Sequence, residues 1–226
     1  RHPITEVTTP SLDAFQAFAR GTEFFRRGQW LEAVPFLRRA TELDPSFAMA
    51  FHQLGTAYGN AGERDLAIEY SRQAFARIDT VSERERLAIA VTYHMRATGD
   101  IVKAGEALQL FVQTFPRATI PRSWRGEYYM SLGQFEKAAA EYEELVRLDG
   151  RSRIGYMNLM WAYTTLGRFD DVRRVADTAH GLGLDMPDFH HILLDVALIQ
   201  GVDADAAREI KWFEGRNDEH LSLGAQ

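Results

Sequence analysis

Apolar residues recur along this chain at steps of three and four, the spacing that keeps side chains on one face of a helix. Ala33, Leu37 and Ala40 form one such set, and Leu54, Gly55 and Tyr58 another. Ala138, Tyr142 and Leu145 follow, then Leu159, Tyr163, Val172 and Ala179. The sets come in couples with a glycine between them. Gly28 and Gly62 lie 34 residues apart, as do Gly99, Gly133, Gly167 and Gly201 in succession. The step from Gly62 to Gly99 is 37. A fixed period of this length signals a repeat architecture. Each glycine is expected to end a helix in the left-handed region, which costs a residue with a Cβ about 1 kcal/mol. The next helix then returns antiparallel. The pattern predicts six helix pairs, at 14–47, 48–81, 85–118, 119–152, 153–186 and 187–220.

Local signals refine the boundaries. Residues 1–11 lack periodicity and read as a lead-in strap, with Ser11 as an N-cap and Asp13 in the first turn. Asp44-Pro45 closes the first pair, because proline cannot continue a helix, and Pro35 lies early in the second helix. Three surplus residues fall at Thr80–Glu85, where Ser82 and Glu85 have the spacing of a capping box. Residues 221–226 read as the start of a truncated tail. A stack of repeats needs a polar cap at its end, without which Trp212 and Phe213 would be partly bare, so a missing C-terminal continuation or fraying is expected.

These residues resemble the tetratricopeptide repeat. Phe51, Leu54, Gly55, Tyr58, Gly62, Ala67 and Ala74 match its pattern, and the resemblance covers 12–220. It implies an all-α fold, a right-handed superhelical α-solenoid of about six antiparallel helix pairs. Some positions depart from the pattern. Arg20 and Arg125 replace the expected leucine, and Thr92, Met160 and Leu194 replace the small residue. A narrower resemblance runs through Val7–Ala14, Val81–Leu87, Thr98–Asp100 and Gln113–Arg117. It is to the repeat region C-terminal to bacterial serine/threonine kinases and related signalling proteins. It implies a regulatory or sensory region that oligomerises, with any catalytic domain outside this chain.

Composition narrows the function. The chain is 46% hydrophobic and 26% charged, as folded soluble proteins are, with net charge −6 and no cysteine. A nucleic-acid binder usually carries a basic face, so nucleic acid is not expected as a partner. No apolar run approaches the roughly 18 residues of a membrane span. We therefore expect no direct membrane contact, and a cytoplasmic setting.

No catalytic motif is present: there is no phosphate loop, His-Glu-x-x-His, Gly-x-Ser-x-Gly or kinase signature. Asp188, His191 and Asp195 share a helical face and have the side chains of a metal site. One helix gives no convergent ligands, so they read as a solvated face. Glu141, Glu143 and Glu144 likewise read as exposed, with Glu143 supporting Arg147 one turn on. No enzyme activity, metal or cofactor is expected.

The remaining candidate is the groove that the resemblance places along the first helix of each pair. The positions facing it include Phe18, Phe25, Met49, His52, Arg86, Tyr93, Arg96, Met130, Met157 and Trp161. Phe15 and Phe18 suit self-packing and partner binding equally. Tyr93, Met157 and Trp161 favour a partner, since aromatic groups set toward solvent anchor interfaces. Some members grip chaperone C-termini with Lys and Asn in the first two repeats; Phe18, Thr22 and Gln53 stand there, and only Arg86 fits. The expectation is a non-catalytic module that binds a protein or peptide, with homo-oligomerisation as the alternative.

Overall fold

The computed structural model describes residues 9–216. Most of the strap and all of the tail thus lie outside the described residues, as do 217–220 of the last predicted pair. Within 9–216 there are twelve α-helices and no strand. The chain divides into two compact units, one ending at Pro116 and one beginning at Arg117.

The first unit holds α1 (Leu12–Arg26), α2 (Trp30–Leu43), α3 (Ala48–Asn60), α4 (Arg64–Phe75), α5 (Glu83–Thr92) and α6 (Ile101–Thr114). The second holds α7 (Thr119–Ser131), α8 (Phe135–Leu148), α9 (Arg153–Thr165), α10 (Phe169–Gly181), α11 (Pro187–Gln200) and α12 (Asp203–Phe213). In each unit α-helices pack in sequential pairs, the first helix of each on the second.

The glycine turns make the pairing. All six periodic glycines have positive φ, from 65° at Gly99 to 84° at Gly62. In five of them the residue after the glycine donates its N–H back across the turn. Gln134 reaches the Tyr129 carbonyl at 2.9 Å, and Arg168 reaches Tyr163 at 2.9 Å. That bond satisfies a carbonyl the helix end would otherwise leave open. The second helix then starts two residues after the glycine, with no side-chain cap at Gln29, Glu63, Gln134, Arg168 or Val202.

The turn at Gly99 is built differently. Here α5 runs on as a π-helical segment, Tyr93–Thr98, that reaches the glycine. The Asp100 N–H donates to the Thr98 hydroxyl at 3.1 Å, and its carboxylate caps α6 by accepting from Lys103 N at 3.1 Å. Ser82 and Glu85 do form a capping box. The surplus is therefore shared: part lies in the long connection 76–82, and part is taken up inside the helix by the π-helical segment.

Small residues set the helix spacing. A Cβ on Gly55 would lie 3.1 Å from Ser71 N and 3.2 Å from the Ala67 carbonyl, so α3 and α4 approach at backbone distance. Leu37, Leu54, Ala57 and Tyr58 fill one core of the first unit, and Phe47, Ala14, Ala40 and Ala50 another. A larger core in the second unit joins Tyr142, Tyr156, Met160, Tyr163, Phe189 and Ile192. Phe213 is fully buried, and Trp212 lies between the His190 ring and the Arg216 guanidinium; the expected continuation or fraying lies outside the described residues.

Candidate interaction surface

In the first unit, most of the groove-facing residues pack on other parts of the unit. The Phe18 ring sits 4.9 Å from Phe47, and Phe25 meets Trp30 edge-on at 4.8 Å. Thr22 donates to Gln53 Oε1 at 3.1 Å, tying α1 to α3. Met49 packs beside two core clusters. His52 is buried, with Nδ1 3.1 Å from the Thr92 hydroxyl. Burial, aided by the Arg96 charge, pushes the imidazole pKa down to about 4, so the ring is neutral at pH 7. Arg96 lies across α3, with Nη1 3.4 Å from the Gly55 carbonyl and Nη2 3.4 Å from Asn60 Oδ1. Gly59 makes room for it, since a Cβ there would overlap the guanidinium. Tyr93 stacks on Phe75 with centroids 3.8 Å apart. Arg86 is exposed, 3.7 Å from Glu83.

The second unit is more open. Its first helices α7, α9 and α11 begin at Thr119, Arg153 and Pro187, steps of 34, so equivalent positions can be read straight across. The second position of the groove face holds Ile120, Ile154 and Asp188, all exposed. The ninth holds Glu127, Trp161 and Asp195. Ile154 keeps 58% of its surface exposed and Trp161 38%, while Leu198, lower on α11, keeps 44%. Met130 and Met157 are half-buried against the core beneath. On α11, His191 Nε2 lies 3.7 Å from Asp195 Oδ2. Among the described residues no group of three or more His, Cys, Asp or Glu is placed to hold a metal.

Two polar clusters escaped the sequence reading. Glu141, expected on an exposed face, is buried; it accepts from Arg125 at 2.5 Å and Arg122 at 3.2 Å. The reason is that Arg125, standing where leucine was expected, brings its own counter-charge into the α7–α8 contact. That departure was the available signal. The second cluster joins α11 to α12. His190 Nδ1 lies 2.7 Å from Glu209 Oε2, Nε2 lies 2.9 Å from Asp185 Oδ1, and the ring stacks on Trp212 at 3.8 Å. The expected Glu143–Arg147 pair also differs. Arg147 binds Glu144, and Glu143 accepts from the Tyr163 hydroxyl at 2.6 Å.

No helix among the described residues is long and apolar enough to cross a membrane. Residues 49–77 and 123–151 match the tetratricopeptide repeat profile. Tetratricopeptide repeat protein 37 of Xenopus laevis is 23% identical over 193 residues, covering 84% of this chain and 12% of that protein. The chain thus spans a small part of the curated relative it matches. Among solved structures, PilW, a type IV pilus biogenesis factor, superposes with TM-score 0.69 at 15% identity, over 94% of this chain and 99% of that one. A chain of the APC/C hetero-tetramer Cut9-Hcn1 gives 0.66 at 19% identity, over 94% and 42%. Pseudomonas aeruginosa pilF gives 0.59 at 17%, over 95% and 98%. At these identities the likeness is one of fold. The matched segments and the fold together support a tetratricopeptide repeat protein, an all-α chain of stacked antiparallel helix pairs.

Proposed function

We propose that this protein is a non-catalytic interaction module that holds a peptide segment of a partner against the first-helix faces of its repeats. The observation that carries this is the exposure of Ile154 and Trp161 on α9, above a well-filled core. Apolar groups left toward solvent on a rigid helix are characteristic of partner-binding surfaces, and tryptophan is among the commonest anchors. Met157 and Met130 add adaptable surface at its floor. In the first unit Phe18, Phe25, Met49, His52, Tyr93 and Arg96 shape the corresponding face, and Arg86 stands exposed at its edge.

The test is selection of peptides on the full chain from a random library, followed by titration of the best binders. Trp161→Ala should weaken binding by more than about 1 kcal/mol, roughly fivefold, with the helical circular dichroism unchanged. Binders indifferent to Trp161→Ala and to Ile154→Ser would place the activity elsewhere.

A further inference from the structure

The chemistry of the α9–α11 surface points to a particular class of partner, and the inference rests on the groove reading above. We propose that this surface takes a basic peptide segment, an apolar side chain seated on Ile154 and a lysine or arginine lying against the Trp161 indole.

The argument starts from register. Helices α9 and α11 pack against each other within the second unit. Because they begin 34 residues apart, Ile154 stands in line with Asp188, Met157 with His191, and Trp161 with Asp195. One helix therefore supplies a hydrophobic row and its neighbour an acidic one. The other charged residue of these two helices, leaving the histidines aside, is Arg153 at the very start of α9. It sits one residue, and so about 100° of helix rotation, away from Ile154.

Two features favour a cation at Trp161. A tryptophan face attracts an ammonium or guanidinium through its quadrupole, more so than other aromatic rings. The Asp195 carboxylate at the same level adds opposite charge, and Asp188 repeats the arrangement at Ile154. An acidic segment would bring like charges to this row, which disfavours it. An entirely apolar segment would leave the two carboxylates facing its hydrocarbon, at a desolvation cost.

The experiment uses the full chain and three fluorescein-labelled peptides of one length, each with a central leucine. The flanks are arginine–lysine, glutamate–aspartate or serine–glutamine. Binding is read by anisotropy at low and moderate salt. The basic peptide should bind tightest and weaken with salt. Asp188→Asn with Asp195→Asn should weaken it about two- to tenfold, as expected for two partly exposed charge pairs. Trp161→Ala should weaken it at least about fivefold. Glu136→Gln, an exposed acid on α8 away from this face, should leave it unchanged.

If the neutral or acidic peptide binds as well, and still depends on Trp161, the groove reading stands and the basic class is wrong. Should Glu136→Gln weaken the basic peptide as much as the α11 double variant, the attraction is to net charge and the proposed site fails. Absence of Trp161-dependent binding by any of the three peptides counts against this inference; when library selection also yields no Trp161-dependent binder, the groove reading falls with it.

Discussion

His190 and Glu209 occupy the same two places in the last helix pair that Arg122 and Glu141 occupy two repeats earlier. The ring nitrogen lies 2.7 Å from its carboxylate, and the guanidinium 3.2 Å from its own. At the corresponding places of the first unit, Phe51 and Tyr70 stack with centroids 6.4 Å apart. One position couple thus serves as a buried ion pair or an aromatic contact.

The Arg122–Glu141 version should be the most sensitive to truncation. Arg122, Arg125 and Glu141 side chains are each about an eighth exposed or less, so removing the acid takes away the buried carboxylate that both guanidinium groups share, while Glu144 stays 3.9 Å from Arg122. Glu141→Ala should destabilise the chain by about 3 kcal/mol, the low end of the scale for a buried ion pair that loses one member. Urea unfolding followed by circular dichroism measures it.

The His190 version titrates. Burial alone would lower its pKa, but hydrogen bonds to Glu209 and Asp185 and their charges outweigh that and raise it above the usual 6.5. Asp185 also faces His180, and Glu209 also faces Arg208. A group whose folded pKa is raised contributes stability that is full below about 6.5 and lost as pH climbs through the folded value. A neutral ring would turn a lone pair toward one carboxylate. Amide exchange in α12, corrected for intrinsic rate, should therefore accelerate as pH rises through that value, and His190→Gln should flatten the response.

His52 has the opposite sign. Its folded pKa of about 4 lies below the unfolded value, so the unfolded chain binds the extra proton first. Stability should fall as pH drops from about 6.5 toward 4, by roughly 3 kcal/mol if the ring stays buried throughout. His52→Leu should remove most of that acid sensitivity from the first unit's unfolding transition.

Gly126 tests the helix spacing. A Cβ there would lie 2.4 Å from Tyr142 Cε1, on a ring that is fully enclosed. Gly126→Ala should cost about 1–3 kcal/mol by overpacking, more than the helix propensity of alanine returns. The matching places on α9 and α10 hold Met160 and Ala176, large and small reversed, within one core. Gly126→Ala combined with Tyr142→Leu should recover part of the loss, seen in the midpoint of thermal unfolding.

The helical period and the glycine turns were legible because each is a local signal. Gly133 needs only its own φ, and Ser82 finds Glu85 within one turn. The buried charges were not, because a glutamate reads as solvent-facing until its partner is known. Arg125 in a leucine place was the clue for Glu141, and it required pairing residues 16 apart across a turn. His52 shows a different limit. Its position placed it on the groove face, but α5 sets Thr92 against it, and that placement depends on how the longer third repeat is accommodated. Trp161 on α9 is 38% exposed, while Met157, one turn earlier on the same helix, is half-buried, a difference that periodicity alone does not separate.

The π-helical segment Tyr93–Thr98 has a bearing on how this chain tolerates changes in length. A residue added to an α-helix swings everything beyond it by about 100°, so a face once turned inward points sideways. A wide turn instead takes up the added residue locally, here at the very end of the helix against Gly99. Gly99 still reverses the chain in the left-handed region, and α6 still follows it two residues later. Extra length in the first unit is thus absorbed at two adjoining places, the connection 76–82 and the wide turns before Gly99, while the helix pairs of the second keep an even 34-residue spacing.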